Sequence, residues 1–280
     1  MDKLRRSERL AAMVKTLVDR PSTLFSLTHF ADLFGAAKST ISEDLAIIKD
    51  SLDRFGLGRV ETFAGAAGGV KYLPETSGQD GRTFVEGLCE QLKTPDRILP
   101  GGFLYMTDLI FSPSIASRVG EMFATRFRSL DPGFVLTVET KGIPLALMTA
   151  HYLGLPMVIL RRDARVTEGT AVSINYLSGF DRRIQSMSLS KRALPRGARV
   201  IFIDDFMRAG GTARGTVDLM AEFEAEVVGT GVLVAAAEPR TKRIDHFTAL
   251  TVLDRVDEVK RRIEVRPADW VVGGEGQAPR

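Results

Sequence analysis

Two adjacent carboxylates and a glycine-containing loop stand together in the C-terminal half of the chain. Asp204 and Asp205 follow the apolar run 200–203, and the loop 206–212 closes with Gly-Gly-Thr. The backbone amides of such a loop bind an anion where a helix begins, and the Thr212 hydroxyl adds a donor. Carboxylates are poor phosphate ligands, but they suit vicinal sugar hydroxyls or a Mg²⁺ ion that bridges them. The spacing predicts a ribose phosphate site; an ordinary strand end with solvated aspartates is the alternative.

A second turn could contribute to the same site. Residues 139–144 read Glu-Thr-Lys-Gly-Ile-Pro and follow the apolar strand predicted over 134–138. Lys141 would supply positive charge, and the amides before a helix over 143–153 would supply donors. The alternative is a plain strand-to-helix turn without a ligand.

Positive charge is concentrated in the middle of a chain whose formal net charge is +3. Residues 1–80 hold 11 Lys+Arg and 11 Asp+Glu, so this part is neutral. Residues 161–199 hold nine Lys+Arg against three Asp+Glu. This surplus favours a phosphate-bearing ligand or an extra nucleic-acid contact there. It gives no support to DNA binding by charge alone in the N-terminal part.

The elements that must position the ligand residues alternate between helix and strand. Alternation with crossover helices predicts a parallel sheet with right-handed connections, and ligands bind outside the carboxyl ends of its strands. The polar segment 163–190 predicts a mobile hairpin, and the tail beyond Val272 is expected to fray. The predicted helices cover about 82–93, 112–130, 143–153 and 211–226, and the predicted strands cover 134–138, 157–160, 199–203 and 227–237.

The N-terminal part has the pattern of a helix-turn-helix with a wing. Apolar periodicity predicts helices over 4–20, 27–34 and 40–53, with Gly35 ending the second, and strands over 59–63 and 70–73 around a Gly-rich tip. Short polar side chains at the start of the third helix can reach base edges and phosphates in a major groove. The alternative is a three-helix structural domain in which Ser39 and Thr40 only cap a helix. The predicted DNA-binding residues are Lys38, Ser39, Thr40 and Ser42 on the helix and Arg59 and Lys71 on the wing.

The polar, turn-rich segment 74–81 separates two predicted domains, 1–74 and 75–280. The fold class is therefore α/β with a winged helix-turn-helix in front. The sequence has no apolar run long enough to span a bilayer and no signal-peptide pattern at its start, so we expect a cytoplasmic protein without membrane contact. The single cysteine, Cys89, excludes an internal disulfide, and three scattered histidines give no zinc-ligand cluster.

Several stretches together resemble the purine operon repressors of Gram-positive bacteria. The segment 200–212 resembles the signature with which type I phosphoribosyltransferases bind phosphoribosyl pyrophosphate (PRPP), and 139–144 resembles their pyrophosphate loop. The stretches that carry the resemblance are SLTHFADLFGAAKSTISEDLAIIKDSL, GGVKYLPE, GGFLYMTDLIFSPS, VTEGTAVSINYLSG, RIQSMSLSKR and IDDFMRAGGT.

The resemblance implies a winged-helix domain fused to a type I phosphoribosyltransferase-like domain. It implies a homodimer that represses purine genes from operator DNA, with PRPP as the inducing effector and guanosine tetraphosphate as a competing ligand in the same pocket. A Mg²⁺ ion would accompany PRPP and meet Asp204 and Asp205 indirectly. The implied ligand residues are Asp204, Asp205, Phe206, Met207, Arg208, Ala209, Gly210, Gly211, Thr212, Thr140, Lys141 and Gly142, with Tyr105, Phe206 and Arg208 on the nucleobase side.

Whether the domain is catalytic turns on Arg208. In purine transferases that resemble this motif, an aspartate at that place serves the purine N7. A guanidinium cannot accept a proton, so general-base help from this position is absent. We therefore expect ligand sensing without catalysis. A catalytic purine phosphoribosyltransferase with an N-terminal dimerisation domain is the alternative.

Overall fold

A computed structural model describes residues 4–65, 68–162, 169–177 and 184–273. The chain divides into two compact units. Unit 1 comprises Met1–Ser77 and His151–Gly154, and unit 2 comprises Gly78–Ala150 and Leu155–Arg280. Within the described ranges, no helix has the length and apolar character needed to cross a membrane.

Unit 1 begins with the three expected helices, α1 (Arg6–Asp19), α2 (Leu27–Phe34) and α3 (Lys38–Phe55). The Ser26 hydroxyl caps α2 by accepting a hydrogen bond from the His29 amide at 3.1 Å, and Gly35 ends it in the left-handed conformation with φ 59°. The helices enclose an apolar core. Its fully buried side chains are Met13, Leu17, Phe30 and Ile41.

The third helix starts earlier than predicted. It begins at Lys38 with Ala37 as its N-cap residue, and no side chain caps it. The prediction of a start near residue 40, and the alternative in which Ser39 is a cap, are therefore wrong. The apolar stripe of this helix begins only at Ile41, so periodicity does not report its first turn. Ser39 is exposed within that turn.

A β-hairpin completes unit 1. Strands β1 (Arg59–Phe63) and β2 (Gly69–Leu73) pair antiparallel, and residues 66–67 at the tip lie outside the described residues. Phe25 and Val70 exchange backbone hydrogen bonds of 2.9 and 2.8 Å, which joins the hairpin to the segment before α2. These contacts give the winged helix-turn-helix arrangement that the sequence predicts.

The helices and strands of unit 2 alternate along most of its length. Those before the polar segment are α4 (Gly78–Leu92), β3 (Ile98–Leu99), β4 (Phe103–Leu104), α5 (Thr107–Ile110), α6 (Pro113–Phe127), β5 (Phe134–Val138), α7 (Ile143–Leu153) and β6 (Met157–Leu160). Those that follow are β7 (Ala171–Leu177), β8 (Ile184–Ser190), β9 (Arg199–Met207), α8 (Gly211–Glu222), β10 (Glu226–Ala236), β11 (Thr248–Asp257), β12 (Arg262–Pro267) and α9 (Asp269–Val272).

In the described part of unit 2, six strands form the central sheet in the order β12-β11-β10-β9-β5-β6. All neighbours are parallel except β11 and β12, which pair antiparallel at one edge. The predicted parallel sheet is thus confirmed. Strands β11 and β12 were not predicted from the sequence.

Strand β9 is longer than predicted. It pairs with β10 beyond Ile203, placing Asp204 opposite Val232 and Met207 opposite Ala235. The carboxylates therefore lie on the strand, and the connecting loop shortens to residues 208–210. Aspartate is depleted in strands, so local propensity favoured an end at Ile203. The backbone ladder to β10 prevails over that propensity.

The predicted hairpin in the polar segment is present as β7 and β8, which pair from Ala171 with Ser190 to Leu177 with Ile184. Residues 163–168 and 178–183 lie outside the described residues, as does the tail 274–280. Strand β7 packs on α8, where Gly215 leaves room for the Tyr176 ring. Tyr176 is buried in the core that α8 shares with the sheet.

Candidate ligand-binding site and nucleic-acid interface

The aspartate pair lies at the carboxyl end of β9, in the middle of the sheet. The Asp205 amide donates a 2.9 Å hydrogen bond to Asp204 Oδ1. Burial raises the pKa of Asp204 well above its ordinary value, and the charge of Asp205 adds to the effect. Such a carboxyl group accepts or donates hydrogen bonds according to its protonation, which suits a sugar diol.

The start of α8 presents backbone amides at the place where the sequence predicts an anion site. Gly210 is the N-cap residue with φ 76°, and no side chain caps the helix. The Arg214 amide donates to Gly210 O at 2.9 Å, which closes the first turn. The amides of 211–213 precede that bond and have no acceptor within the helix. An anion beside Gly211 would satisfy them and would meet the positive end of the helix dipole.

The turn between β5 and α7 lies against the aspartates. A side chain at Gly142 would collide with Thr137 Oγ1, and its Cβ would lie 3.1 Å from Asp204 Oδ1. The close approach therefore requires glycine. Thr140 and Lys141 are exposed, as expected of ligand-contacting residues, and the Glu139–Thr140 peptide is cis.

An arginine that the sequence analysis did not single out faces the aspartates. The charge of Arg162 lowers the pKa of Asp204 and so opposes the effect of burial. Glu139 fixes this part of the chain, because its carboxylate accepts two hydrogen bonds from it. One comes from the Arg162 amide at 2.8 Å and the other from Arg161 Nη1 at 3.0 Å. The basic surplus after residue 160 was the available signal. It marked a region rather than a residue.

The predicted ligand residues at the end of β9 and the start of the following loop differ in how accessible their side chains are. The Met207 side chain is buried with Val232, Ala235 and Ala249, so only its backbone could meet a ligand. Phe206 is half-buried and Arg208 is exposed. The side chains of Phe206 and Arg208 are therefore available for ligand contact, and that of Met207 is not.

Tyr105 follows the short β3–β4 hairpin, and 42% of it is exposed. Arg97 holds its backbone from both sides: Tyr105 N donates to Arg97 O at 2.7 Å, and Arg97 Nη1 donates to Tyr105 O at 3.1 Å. The same segment reaches the turn after β11 through an ion pair of 2.8 Å between Asp96 and Arg261. This ion pair connects the segment that carries Tyr105 to the turn between β11 and β12.

Thr212 already has a partner in the hairpin. Its side chain hydrogen bonds with the Tyr176 hydroxyl, and burial raises the pKa of Tyr176. Tyr176 in turn donates to Gln185 Oε1 at 2.9 Å. The Thr212 hydroxyl thus links the start of α8 to the β7–β8 hairpin.

The predicted DNA-binding residues of α3 are mostly accessible. Lys38, Ser39 and Ser42 are exposed, and Thr40 is half-buried. Their common position in the first turns of α3 matches the part of a recognition helix that meets base edges.

The two wing cations have partners within unit 1. Arg59 forms ion pairs of 3.0 Å with both Glu61 and Glu75. Lys71 Nζ lies 5.2 Å from the centroid of the Phe63 ring. A phosphate contact by either cation would compete with these interactions, so α3 is the stronger candidate for DNA contact.

A buried carboxylate, which the sequence analysis missed, joins α3 to α1. The Asp44 side chain is fully buried and accepts hydrogen bonds of 2.9 Å from Arg6 Nε and 2.8 Å from Arg9 Nε. Paired charges of this kind fix the relative placement of two helices. The contact holds the start of α3 in place.

The aspartates do not form a metal site by themselves. Among the described residues, no group of three or more His, Cys, Asp or Glu side chains could hold an ion. Mg²⁺ is commonly held by one or two carboxylates together with substrate phosphates. The two carboxylates fit an ion that arrives with a phosphate ligand, and their indirect contact with Mg²⁺ stays a prediction.

Comparison with known proteins matches both parts of the chain. Residues 5–74 match the family "Bacterial purine repressor, N-terminal", and residues 107–265 match "Phosphoribosyl transferase domain". The chain is 45% identical over 269 residues to the purine biosynthesis transcriptional repressor PurR of Bacillus subtilis (strain 168), covering 96% of this chain and 94% of the relative. It is 36% identical over 263 residues to the purine biosynthesis transcriptional activator PurR of Lactococcus lactis subsp. lactis (strain IL1403), covering 94% and 97%.

The structure is similar to that of adenine phosphoribosyltransferase from Thermoanaerobacter pseudethanolicus, with a TM-score of 0.51 and 19% identity over 60% of this chain and 98% of that one. At this identity the likeness establishes the fold alone. Together with the family matches, it confirms the predicted fold class and the resemblance on which the ligand assignments rest.

Proposed function

This chain belongs to the bacterial purine repressor family, and we propose that it is a transcription regulator that binds operator DNA through unit 1 and releases it when PRPP binds to unit 2. One observation carries the proposal. The uncapped amides of 211–213, the Asp204–Asp205 pair and the turn at Gly142 lie at the same edge of the sheet. They supply, respectively, donors for a phosphate, partners for a diol and a backbone turn for a diphosphate.

The proposed pose follows from the charge of each group. The 5-phosphate meets the amides at the start of α8, and the ribose hydroxyls meet the two aspartates. The diphosphate meets Lys141 and the amides beside Gly142, with Arg162 as a further cation. When bound, Mg²⁺ would neutralise the diphosphate next to Asp204 and Asp205.

An operator gel shift tests the proposal. PRPP with Mg²⁺ is titrated against a fixed concentration of protein and operator, and we expect the bound DNA to decrease as PRPP saturates. Asp205→Ala should bind operator as the wild type does and should lose the response, because it removes a diol partner and leaves unit 1 intact. Unchanged wild-type DNA affinity at saturating PRPP would reject the proposal.

DNA contact by α3 has its own test. We expect Lys38→Ala to weaken operator binding by about 1–3 kcal/mol and to leave PRPP binding unchanged. Lys15→Ala is the matched control, because Lys15 is an exposed helical lysine of α1 that pairs with Asp19. Equal operator affinities for both variants and the wild type, measured by fluorescence anisotropy, would remove Lys38 from the interface.

We propose ligand sensing rather than catalysis. Arg208 is exposed beside the aspartates and cannot serve as a general base. The match to a phosphoribosyl transferase domain is the observation that favours the alternative, a purine phosphoribosyltransferase. Incubation with PRPP and radiolabelled adenine, guanine, hypoxanthine or xanthine discriminates between them, since nucleotide formation from any of these bases would establish catalysis.

The proposal extends to a competing ligand and to assembly. Guanosine tetraphosphate carries a purine and two diphosphates, which suit the half-buried Phe206 ring, Arg208, Tyr105 and the same amides. We propose that it occupies the PRPP pocket, so each ligand should displace the other in calorimetry. We also propose a homodimer, which light scattering of the full chain would test.

A further inference from the structure

The segment after β10 contacts the loop that joins β9 to α8. Lys242 Nζ donates to Arg208 O at 2.6 Å and to Ala236 O at 2.7 Å. Arg208 is the first residue of the loop, and Ala236 is the last residue of the neighbouring strand β10. One ammonium group therefore joins the loop to the adjacent strand.

Arg243, the residue after Lys242, binds the carbonyl group of the second loop residue, Ala209. The Arg243 amide donates to Ala209 O at 2.9 Å, so two consecutive loop carbonyls point towards residues 242–243. Both loop peptides are trans. In a trans peptide the N–H points opposite to the C=O, so the amides of Ala209 and Gly210 point away from 242–243.

These two amides immediately precede the donors at the start of α8. Gly210 is left-handed with φ 76°, and the Gly211 amide that follows it is the first of the helix. Successive backbone N–H groups on one side of a turn form a concave anion site. The orientation of the loop carbonyls therefore determines how many donors the phosphate meets.

Partial burial of the Lys242 ammonium group removes some of its hydration, which costs free energy. It is half-buried, and burial lowers the pKa of its ammonium group; Glu238 opposes this shift and Arg208 adds to it. A buried cation is unfavourable unless hydrogen bonds compensate, and the two carbonyls supply them. The two hydrogen bonds thus hold the half-buried side chain against the loop.

We infer that Lys242 is a positioning residue for the effector: it holds the loop carbonyls so that the amides of 209–211 face the phosphate of the ligand. The inference rests on the proposed PRPP binding. It adds to that site a residue that acts through the backbone of the loop.

The experiment compares three probes on Lys242→Met by calorimetry with Mg²⁺. PRPP and ribose 5-phosphate both place a phosphate on the 209–212 turn, and we expect their affinities to fall by about tenfold, the effect of a lost charge-assisted hydrogen bond. Inorganic pyrophosphate uses the turn at 139–142, so its affinity should stay within about twofold. A general loss of structure would weaken all three probes together.

Two further variants separate position from charge. Lys242→Arg keeps donors within reach of both carbonyls and should recover most of the affinity for ribose 5-phosphate. Arg240→Met removes a nearby charge from a side chain that is 92% exposed and should bind all three probes as the wild type does.

The outcomes distinguish this inference from the proposed function. A wild-type protein that binds no PRPP overturns both. A wild type that binds PRPP, with Lys242→Met equally tight for ribose 5-phosphate, overturns the role of Lys242 alone. Parallel weakening of pyrophosphate binding, or the same loss in Arg240→Met, would also overturn the positioning role.

Discussion

Asp204 is the residue at which ligand binding and folding stability oppose each other. Its pKa is raised by burial and by Asp205, so the folded chain holds this proton to a higher pH than the unfolded chain does. Ionised Asp204 therefore destabilises the folded chain. This destabilisation is absent at pH values below the pKa of Asp204 in the unfolded chain, and it is complete at pH values above its pKa in the folded chain. A carboxylate kept in such a place is typical of a functional site.

Asp204→Asn removes that destabilisation and keeps the shape of the side chain. We expect its melting temperature at pH 7 to rise by about 2–4 °C, the scale of a 1 kcal/mol change in a chain of this size. The gain should shrink near pH 4, where the wild-type carboxyl is protonated. Scanning calorimetry at the two pH values measures it, and PRPP affinity should fall in the same variant.

The control for this variant is Asp32→Asn, which changes an exposed aspartate on α2. It should leave the melting temperature unchanged at both pH values. A melting temperature at pH 7 that is lower for Asp204→Asn than for the wild type would contradict the assigned effect of burial.

At the scale of elements, the β5–α7 turn is defined by how closely it approaches β9. Gly142→Ala would place a methyl group against Thr137 Oγ1 and 3.1 Å from Asp204 Oδ1. We expect a loss of about 1–3 kcal/mol in unfolding free energy, because neither neighbour is the end of a long flexible side chain. Weaker PRPP binding should accompany it. Urea unfolding and calorimetry measure the two effects.

The control for this variant is a glycine within a helix. Gly87 in α4 has no other group within 4 Å of an added Cβ. Gly87→Ala should therefore be neutral or stabilising by about 0.5–1 kcal/mol, because alanine restricts the unfolded chain. If Gly142→Ala unfolds at the same urea concentration as the wild type, the turn does not need glycine.

Local sequence predicts those elements whose pattern is self-contained. The bounds predicted for β5 and α7 agree with the structure, since an apolar strand, a turn and a mostly apolar helix follow one another there. The length of β9 depends on its pairing with β10. Strand β11 mixes apolar residues with Arg255 and Asp257, so it lacks the continuous apolar run of a buried strand.

The residues of the candidate site also divide into those that local sequence predicts and those that depend on tertiary contacts. The aspartates, the Gly-Gly-Thr turn and Lys141 were predictable, because contiguous residues with a fixed spacing form each motif. Lys242 was not, because it contacts Arg208 across 34 positions of sequence. Nor was Arg162 singled out, because its position beside Asp204 follows from strand order. Sequence motifs identify the groups that bind, and tertiary contacts identify those that orient them.

At the scale of the whole molecule, the proposed regulation is a coupling between an operator site in unit 1 and a PRPP site in unit 2. Binding free energies of two ligands on one protein are linked reciprocally. If PRPP lowers operator affinity by some factor, operator must lower PRPP affinity by the same factor. We expect a factor of about 5–150, the usual range for coupled sites.

PRPP titrations with and without saturating operator measure one side of this cycle, and operator titrations with and without saturating PRPP measure the other. Lys38→Ala should shift both operator curves alike and leave the factor unchanged, because its contact is made with or without PRPP. A sensor that regulates transcription gives equal factors above one. If both pairs of titrations gave a factor of one while PRPP still bound, unit 2 would bind its ligand without changing the operator affinity of unit 1.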